Sequence, residues 1–175
     1  MNSKKLHICI IGCGEITRNA HAPSLKRLGD KVQFSFSSRD RKKAQEYCDK
    51  FGGVNAYQGI EEVLADNKID AVSICLPHDQ HRDVAIACAN SKKHILLEKP
   101  MACSVKEADE IIKAAYENQV KLAIAECLAY SRGVEKAKEL LDKGEIGEFR
   151  FIHSTQFIKV NARDWRLQEN QMGGG

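Results

Sequence analysis

The chain has 175 residues, 43% of them hydrophobic and 29% charged, which suits a soluble globular protein of one domain, or of one domain and part of another. A net charge of +3, from 27 basic and 24 acidic residues, is too even to point to nucleic acid, and "RDRKK" is the one dense basic run. No apolar run approaches the ~18 residues of a membrane helix. The N-terminal "MNSKKLHICIIG" lacks the small-residue cleavage site of a signal peptide and runs straight into a glycine motif, so it reads as a first strand.

In chain order, residues 6–12 (LHICIIG) predict a continuous apolar strand. Residues 15–28 read as a helix with Ile16, Ala20, Leu25 and Leu28 apolar, perturbed by Pro23. "VQFSFS" (32–37) alternates and is a strand. "RDRKKAQEYCDKFGG" is a helix with Ala44, Tyr47, Cys48 and Phe51 on one face, stopped by Gly52 and Gly53. "VNAYQ" is a short strand and "IEEVLAD" a short helix. "DAVSICLP" (70–77) is a strand ended by proline, followed by a helix over 79–91. "HILLEKP" is the next strand. Ser104 and Glu107 form a capping box for a helix to about residue 118. "VKLAIAECL" is a strand, 133–143 a helix ending at Gly144, and 148–160 a long alternating strand.

Strands and helices in alternation, with near-continuous apolar strands, predict a doubly wound parallel sheet covered on both faces and joined by right-handed crossovers. This α/β, Rossmann-type unit takes residues 1–125. The alternating strand at 148–160 differs in kind, and predicts that 126–175 starts a second α/β domain with a mostly antiparallel sheet. The seven cysteines (Cys9, Cys13, Cys48, Cys75, Cys88, Cys103 and Cys127) are odd in number and show no CxxC or Cys/His zinc spacing, so no metal is expected. They read as buried, reduced thiols of a cytoplasmic protein, with a catalytic thiol as the other reading.

"IIGCGEIT" sets Gly12, Gly14 and Thr17 after the first strand and at a helix start. Gly12 permits the tight turn and Gly14 lets the backbone approach a pyrophosphate. The N–H groups at the helix start, at Glu15 and Ile16, then face phosphate oxygens. Thr17 replaces the usual third small residue, which predicts looser packing of helix on strand. In strand–turn–helix context this is a dinucleotide site. Its preference should be written at the end of the second strand. Asp30 lies in the turn before that strand, the wrong end. The strand runs into Ser38 and Arg39, with Lys42 or Lys43 adding charge, a set that suits a 2′-phosphate and predicts NADP, with NAD possible. In the alternative, Arg39 is a solvated turn residue and Asp40 takes the ribose.

Ligands of open α/β sheets bind beyond the carboxyl ends of the strands. Two strand ends are chemically furnished: Leu76 and Pro77 with His78 and His81, and Glu98-Lys99-Pro100. Pro77 shapes the chain exit. His81 either contacts the cofactor or simply starts a helix. Lys99 is placed to donate a hydrogen bond to a reacting oxygen, with a surface lysine beside Glu98 as the other reading.

The segments "IGCGEITRNAHAPSLK", "SICLPHDQHRDVAIACANSKKHILLEKPMACSVKEADEII" and "KELLDKGEIGEFRF" resemble the glucose–fructose oxidoreductase/inositol 2-dehydrogenase (Gfo/Idh/MocA) family. The resemblance implies a Rossmann domain followed by an α/β domain whose large sheet builds a dimer or tetramer. It implies NAD(P)-dependent oxidation or reduction at a hydroxyl-bearing carbon of a sugar, inositol or related polyol. It also implies that Lys99 is the active-site lysine and that Glu98 lies near the nicotinamide ribose. Trp165 and Arg166 are similar to a pair found near the cofactor.

Two departures stand out. "AECLAYSR" has Cys127 and Ala129 where the family often has asparagine and arginine, with Arg132 three residues on. The family's Gly-rich turn precedes a helix carrying Asp and His, the His moving the proton. None of His7, His21, His78, His81, His94 and His153 matches that position. The chain therefore reads as a truncated member, inactive alone, although Gly173–Gly175 also read as a flexible tail. The alternative function is a non-catalytic NADP-binding redox sensor or regulator on the same fold.

Overall fold

The first strand, β1 (Leu6–Ile11), is the centre from which the sheet grows. Apart from His7, which meets the Ser35 hydroxyl, its buried side chains are apolar because both faces are covered: Cys9 and Ile11 enter one core and Ile10 the other. The computed structural model describes residues 5–155, 157, 164–168 and 171. Beside β1 lie β2 (Val32–Ser38), β3 (Ala56–Gln58), β4 (Ala71–Ile74), β5 (His94–Leu97) and β6 (Leu122–Ile124). All pairs are parallel and the order is β3-β2-β1-β4-β5-β6. The order reverses between β1 and β4, where Ile11 pairs with Ile74, and this switch point is where such a sheet opens a crevice.

The helices are α1 (Ala22–Arg27), α2 (Arg41–Phe51), α3 (Glu61–Ala65), α4 (His81–Asn90), α5 (Val105–Glu117) and α6 (Arg132–Asp142). On the α1/α2 side Phe34, Phe36, Tyr47 and Phe51 pack ring to ring, Phe34 and Phe36 edge-on at 5.7 Å between centroids. On the other side Val63, Ala85, Cys88 and Ile111 from the helices meet Val72, Ile74, Ile95 and Leu97 from the strands. Five of the seven cysteines are buried, Cys103 is half-buried and Cys127 exposed, and all seven are free thiols. No helix among the described residues is long and apolar enough to cross a membrane.

The capping expected at α5 is present. Ser104 accepts a hydrogen bond from the Glu107 N–H, and Glu107 reaches back to the N–H of Cys103, one residue outside the usual box. Two expectations are corrected. The helix expected over 15–28 is not uniform: Thr17–His21 form a π-turn before α1, with the Ala22 N–H bonded to the Thr17 carbonyl. Thr17 is itself fully buried and donates to the Gly12 carbonyl at 2.6 Å. The bulkier residue is thus absorbed by a wider helical turn. The second correction concerns 148–160. The described residues 148–155 form no strand, Phe157 stands 95% exposed, and the remainder lies outside the described residues. A strand is held by its ladder, and among the described residues no neighbour offers one.

Candidate dinucleotide-binding site

Gly12 leaves β1 at φ 106°, and its N–H donates to the Ser37 carbonyl at 2.9 Å. A Cβ there would stand 2.3 Å from the Cys75 carbonyl oxygen, so neither the conformation nor the space admits a side chain. A Cβ on Gly14 would meet nothing within 4 Å. That open space is what a pyrophosphate needs, and Glu15 and Ile16 begin the helix beside it. The loop is braced from below by Tyr47, whose hydroxyl donates to the Gly14 carbonyl at 3.1 Å, with the Arg18 guanidinium over its ring.

Beyond β2 the chain runs Ser38, Arg39, Asp40 into α2. An open concavity of about 690 Å³ lies here, lined by Arg39, Asp40, Arg41, Lys42, Gln45 and Gln58. The Asp40 carboxylate caps α2, accepting from the Lys42 N–H at 2.9 Å. Arg41 is held by the Ala56 carbonyl at 3.0 Å and by Glu62. Lys43 sits on the first turn of α2, where its charge acts on the buried Cys13 thiol, whose pKa burial pushes up to about 12. Asp30, at the far end of β2, pairs with Lys5 at 2.7 Å. A second concavity, of about 380 Å³, is lined by Pro23, Lys26, Arg27, Lys50 and Phe51 and holds none of the expected site residues.

At the ends of β4 and β5 the two furnished strand exits meet. Leu76 packs against the core and Pro77 leads into a single 3-10 turn, His78–Gln80. The Lys99–Pro100 peptide is cis. His81 is fully buried, with Nδ1 2.8 Å from the Pro100 carbonyl oxygen and Nε2 3.0 Å from that of Leu76. Both ring nitrogens are thereby committed to backbone. His81 is the first residue of α4, as the helix-start reading had it, and it ties the β4 exit to the β5 exit. Lys99 is exposed, two residues past the end of β5. Trp165 comes from a separate 3-10 turn, Asp164–Leu167, and stands edge-on to His78 at 4.8 Å and 76°. Arg166 belongs to the same turn.

Glu98 is held from within. Its Oε1 lies 2.7 Å from Nε2 of His21, and its Oε2 accepts the Lys99 N–H at 3.1 Å. Nδ1 of His21 lies 3.0 Å from Oγ of Ser73. Burial alone would lower the pKa of His21, but the Cys75 thiol and the Glu98 carboxylate outweigh it and carry it up to about 10. Burial alone would raise Glu98, yet His21 and Lys99 hold it below the ordinary carboxylate range. The sequence reading missed His21, Ser73, Arg41 and Tyr47. A serine inside the apolar strand "AVSI" is the visible signal, since a buried hydroxyl needs a partner. The other three carry no such mark.

The chain is 31% identical over 159 residues to a myo-inositol 2-dehydrogenase from Thermotoga maritima, which covers 91% of this chain and 46% of that protein. Among solved structures, a 3-ketoreductase from Actinomadura kijaniata in complex with NADP superposes at TM-score 0.76 with 25% identity, covering 83% of this chain and 46% of that one. An NAD binding oxidoreductase from Klebsiella pneumoniae gives 0.77 and 29%, covering 83% and 40%. The chain spans about half the length of the curated relatives it matches. The model of the oxidoreductase family with the NAD-binding Rossmann fold (Gfo/Idh/MocA) matches residues 6–126, the whole sheet with its glycine loop and both furnished strand ends, and the chain belongs to that family.

Proposed function

We propose that this chain is the dinucleotide-binding part of an NADP-favouring oxidoreductase. The reaction transfers a hydride to or from a hydroxyl-bearing carbon of a sugar, inositol or related polyol. The observation that carries the cofactor reading is the concavity beyond β2. Arg39 and Lys42 line it beside Arg41, which Glu62 pairs, while the one acid there, Asp40, caps α2 through one oxygen. A 2′-phosphate would find cations, and ribose hydroxyls alone would find a carboxylate with one oxygen already given to the cap. The names of relatives, an inositol dehydrogenase and a 1,5-anhydro-D-fructose reductase, support a polyol or sugar-like substrate.

When bound, the nicotinamide supplies or accepts the hydride. Gly12, Gly14, Glu15 and Ile16 hold the pyrophosphate, with Leu76, Pro77 and Trp165–Arg166 toward the nicotinamide end. Lys99 donates a hydrogen bond to the substrate oxygen and steadies the negative charge that grows there. The proton-transfer group belongs to none of the six histidines of this chain, which alone binds cofactor weakly and turns nothing over. Residues 126–175 are read as the opening of the substrate domain, and the whole protein as a cytoplasmic homo-oligomer.

The test is a fluorescence titration of the chain with NADPH and NADH. Binding of NADPH at least ~10-fold tighter than NADH is expected, with Arg39→Ala abolishing most of the difference, since one charged hydrogen bond is worth about 1.5–3 kcal/mol. Equal or tighter binding of NADH would overturn the NADP reading.

A further inference from the structure

The His21–Glu98 contact joins two parts of the site that lie far apart in sequence. His21 ends the π-turn that follows the glycine loop, and Glu98 is the first residue past β5, immediately before Lys99. Both side chains are nearly enclosed, at 10% and 13% exposure. Each has its polar atoms committed. His21 bonds Ser73 and Glu98, and Glu98 bonds His21 and the Lys99 N–H. A carboxylate with both oxygens engaged inside the protein is an anchor before it is a ligand. The groups facing His21 are Ser73 of β4, Cys75 just past β4 and Glu98 just past β5, and the Lys99 charge acts on Glu98 in turn.

We propose that His21 is a positioning residue: it fixes the Glu98 carboxylate and, through it, the backbone at Lys99, so that the helix carrying the dinucleotide loop also sets the lysine at the end of β5. The chain of contacts runs from loop helix to imidazole, to carboxylate, to the amide of the lysine. A change in the seat of the loop reaches Lys99 without any direct contact between them. Glu98 acts here through its neighbour, which differs from a direct contact with the nicotinamide ribose. The assignment of a purpose to Lys99 rests on the oxidoreductase reading above, while the coupling itself is a property of the chain without cofactor.

The test is amide hydrogen exchange, read by NMR on the full chain without cofactor. The Glu98 N–H, bonded to the Ile74 carbonyl at 3.0 Å, is the internal control because it belongs to the sheet ladder. In His21→Leu the Lys99 amide is expected to exchange ~10-fold faster or more while the Glu98 amide keeps its protection. In His21→Gln, whose side-chain amide can still donate to Glu98, most of the protection returns. Acceleration of both amides together, or of neither, would overturn the proposal. A second measurement needs no core variant that must fold. In the unaltered chain the His21 Nε2 proton, which faces Glu98 at 2.7 Å, should be protected from solvent exchange at pH 8, and an Nε2 without a protected proton would also overturn it. Absence of NADPH binding in a separate titration would sink the dinucleotide reading and leave both outcomes here decisive.

Discussion

Gly12 and Gly14 are alike in the sequence motif and opposite in physical demand. Alanine at Gly12 must take φ 106° and drive its methyl to 2.3 Å from the Cys75 carbonyl oxygen, which is backbone of the neighbouring strand and cannot swing away. The left-handed backbone and the overpacking together should cost about 3 kcal/mol or more, read as a drop in the denaturation midpoint. At Gly14 the methyl meets empty space. Gly14→Ala should therefore leave stability unchanged or raise it by up to about 1 kcal/mol, because the unfolded chain loses freedom. The same methyl occupies the approach to the loop, so NADPH affinity should fall ~10-fold or more, about 1.4 kcal/mol. A Gly14→Ala chain that binds NADPH as well as the original would remove the loop from the proposed site.

At the level of elements, the joint between the loop helix and the end of β5 predicts how stability responds to pH. His21 has a folded pKa of about 10 against an ordinary 6.5, so its contribution is complete below about 6.5 and is lost as pH rises toward 10. Glu98 has a lowered folded pKa, so its contribution is present above the ordinary carboxylate range and lost as pH falls through the folded value. The joint is strongest in the mildly acidic window between the ordinary carboxylate range and about pH 6.5. Between pH 7 and 8.5 stability should fall by about 1 kcal/mol per pH unit, and Glu98→Gln should flatten that slope. The window stops there because the buried thiols of Cys9, Cys13 and Cys88, raised by burial, add a loss of the same sign at higher pH. Chemical denaturation at three pH values checks it, and an unchanged slope in Glu98→Gln would remove the His21–Glu98 pair as its source. None of this joint was legible in the sequence. His21 and Glu98 are 77 residues apart, and only the adjacency of β4 and β5 beside the loop helix brings them together. The elements themselves were legible because each carries its own local cause. Asp40 and Ser104 mark helix starts with side-chain caps, and Gly52 marks a helix end at φ 86°.

For the molecule as a whole, the sheet was readable because six apolar strands between helices admit few arrangements, and the parallel order places the glycine loop beside the β4 exit. The long strand expected at 148–160 is not formed over its described residues 148–155, for a reason on the same scale. Its alternation, Phe149, Phe151 and Phe157 on one parity, describes a face that needs a partner sheet rather than a local preference. In the structure Phe149, Phe151, Ile152 and Phe157 are 56%, 80%, 65% and 95% exposed. Ile146 and Leu167 are exposed as well, at 69% and 71%. So much apolar surface in one stretch is an association hazard in water. The chain should therefore self-associate with rising concentration, visible in sedimentation velocity by about 100 μM. Phe151→Ser with Phe157→Ser should shift it toward monomer. Because neither ring is buried, the denaturation midpoint should move by less than about 0.5 kcal/mol equivalent, and NADPH binding should not change. Association that persists in this double variant would place the contact elsewhere, on α5, where Val105, Ile112 and Tyr116 are also exposed. A strictly monomeric original chain would show that these phenylalanines are sheltered in solution by one another, with the ladder they lack replaced by local collapse.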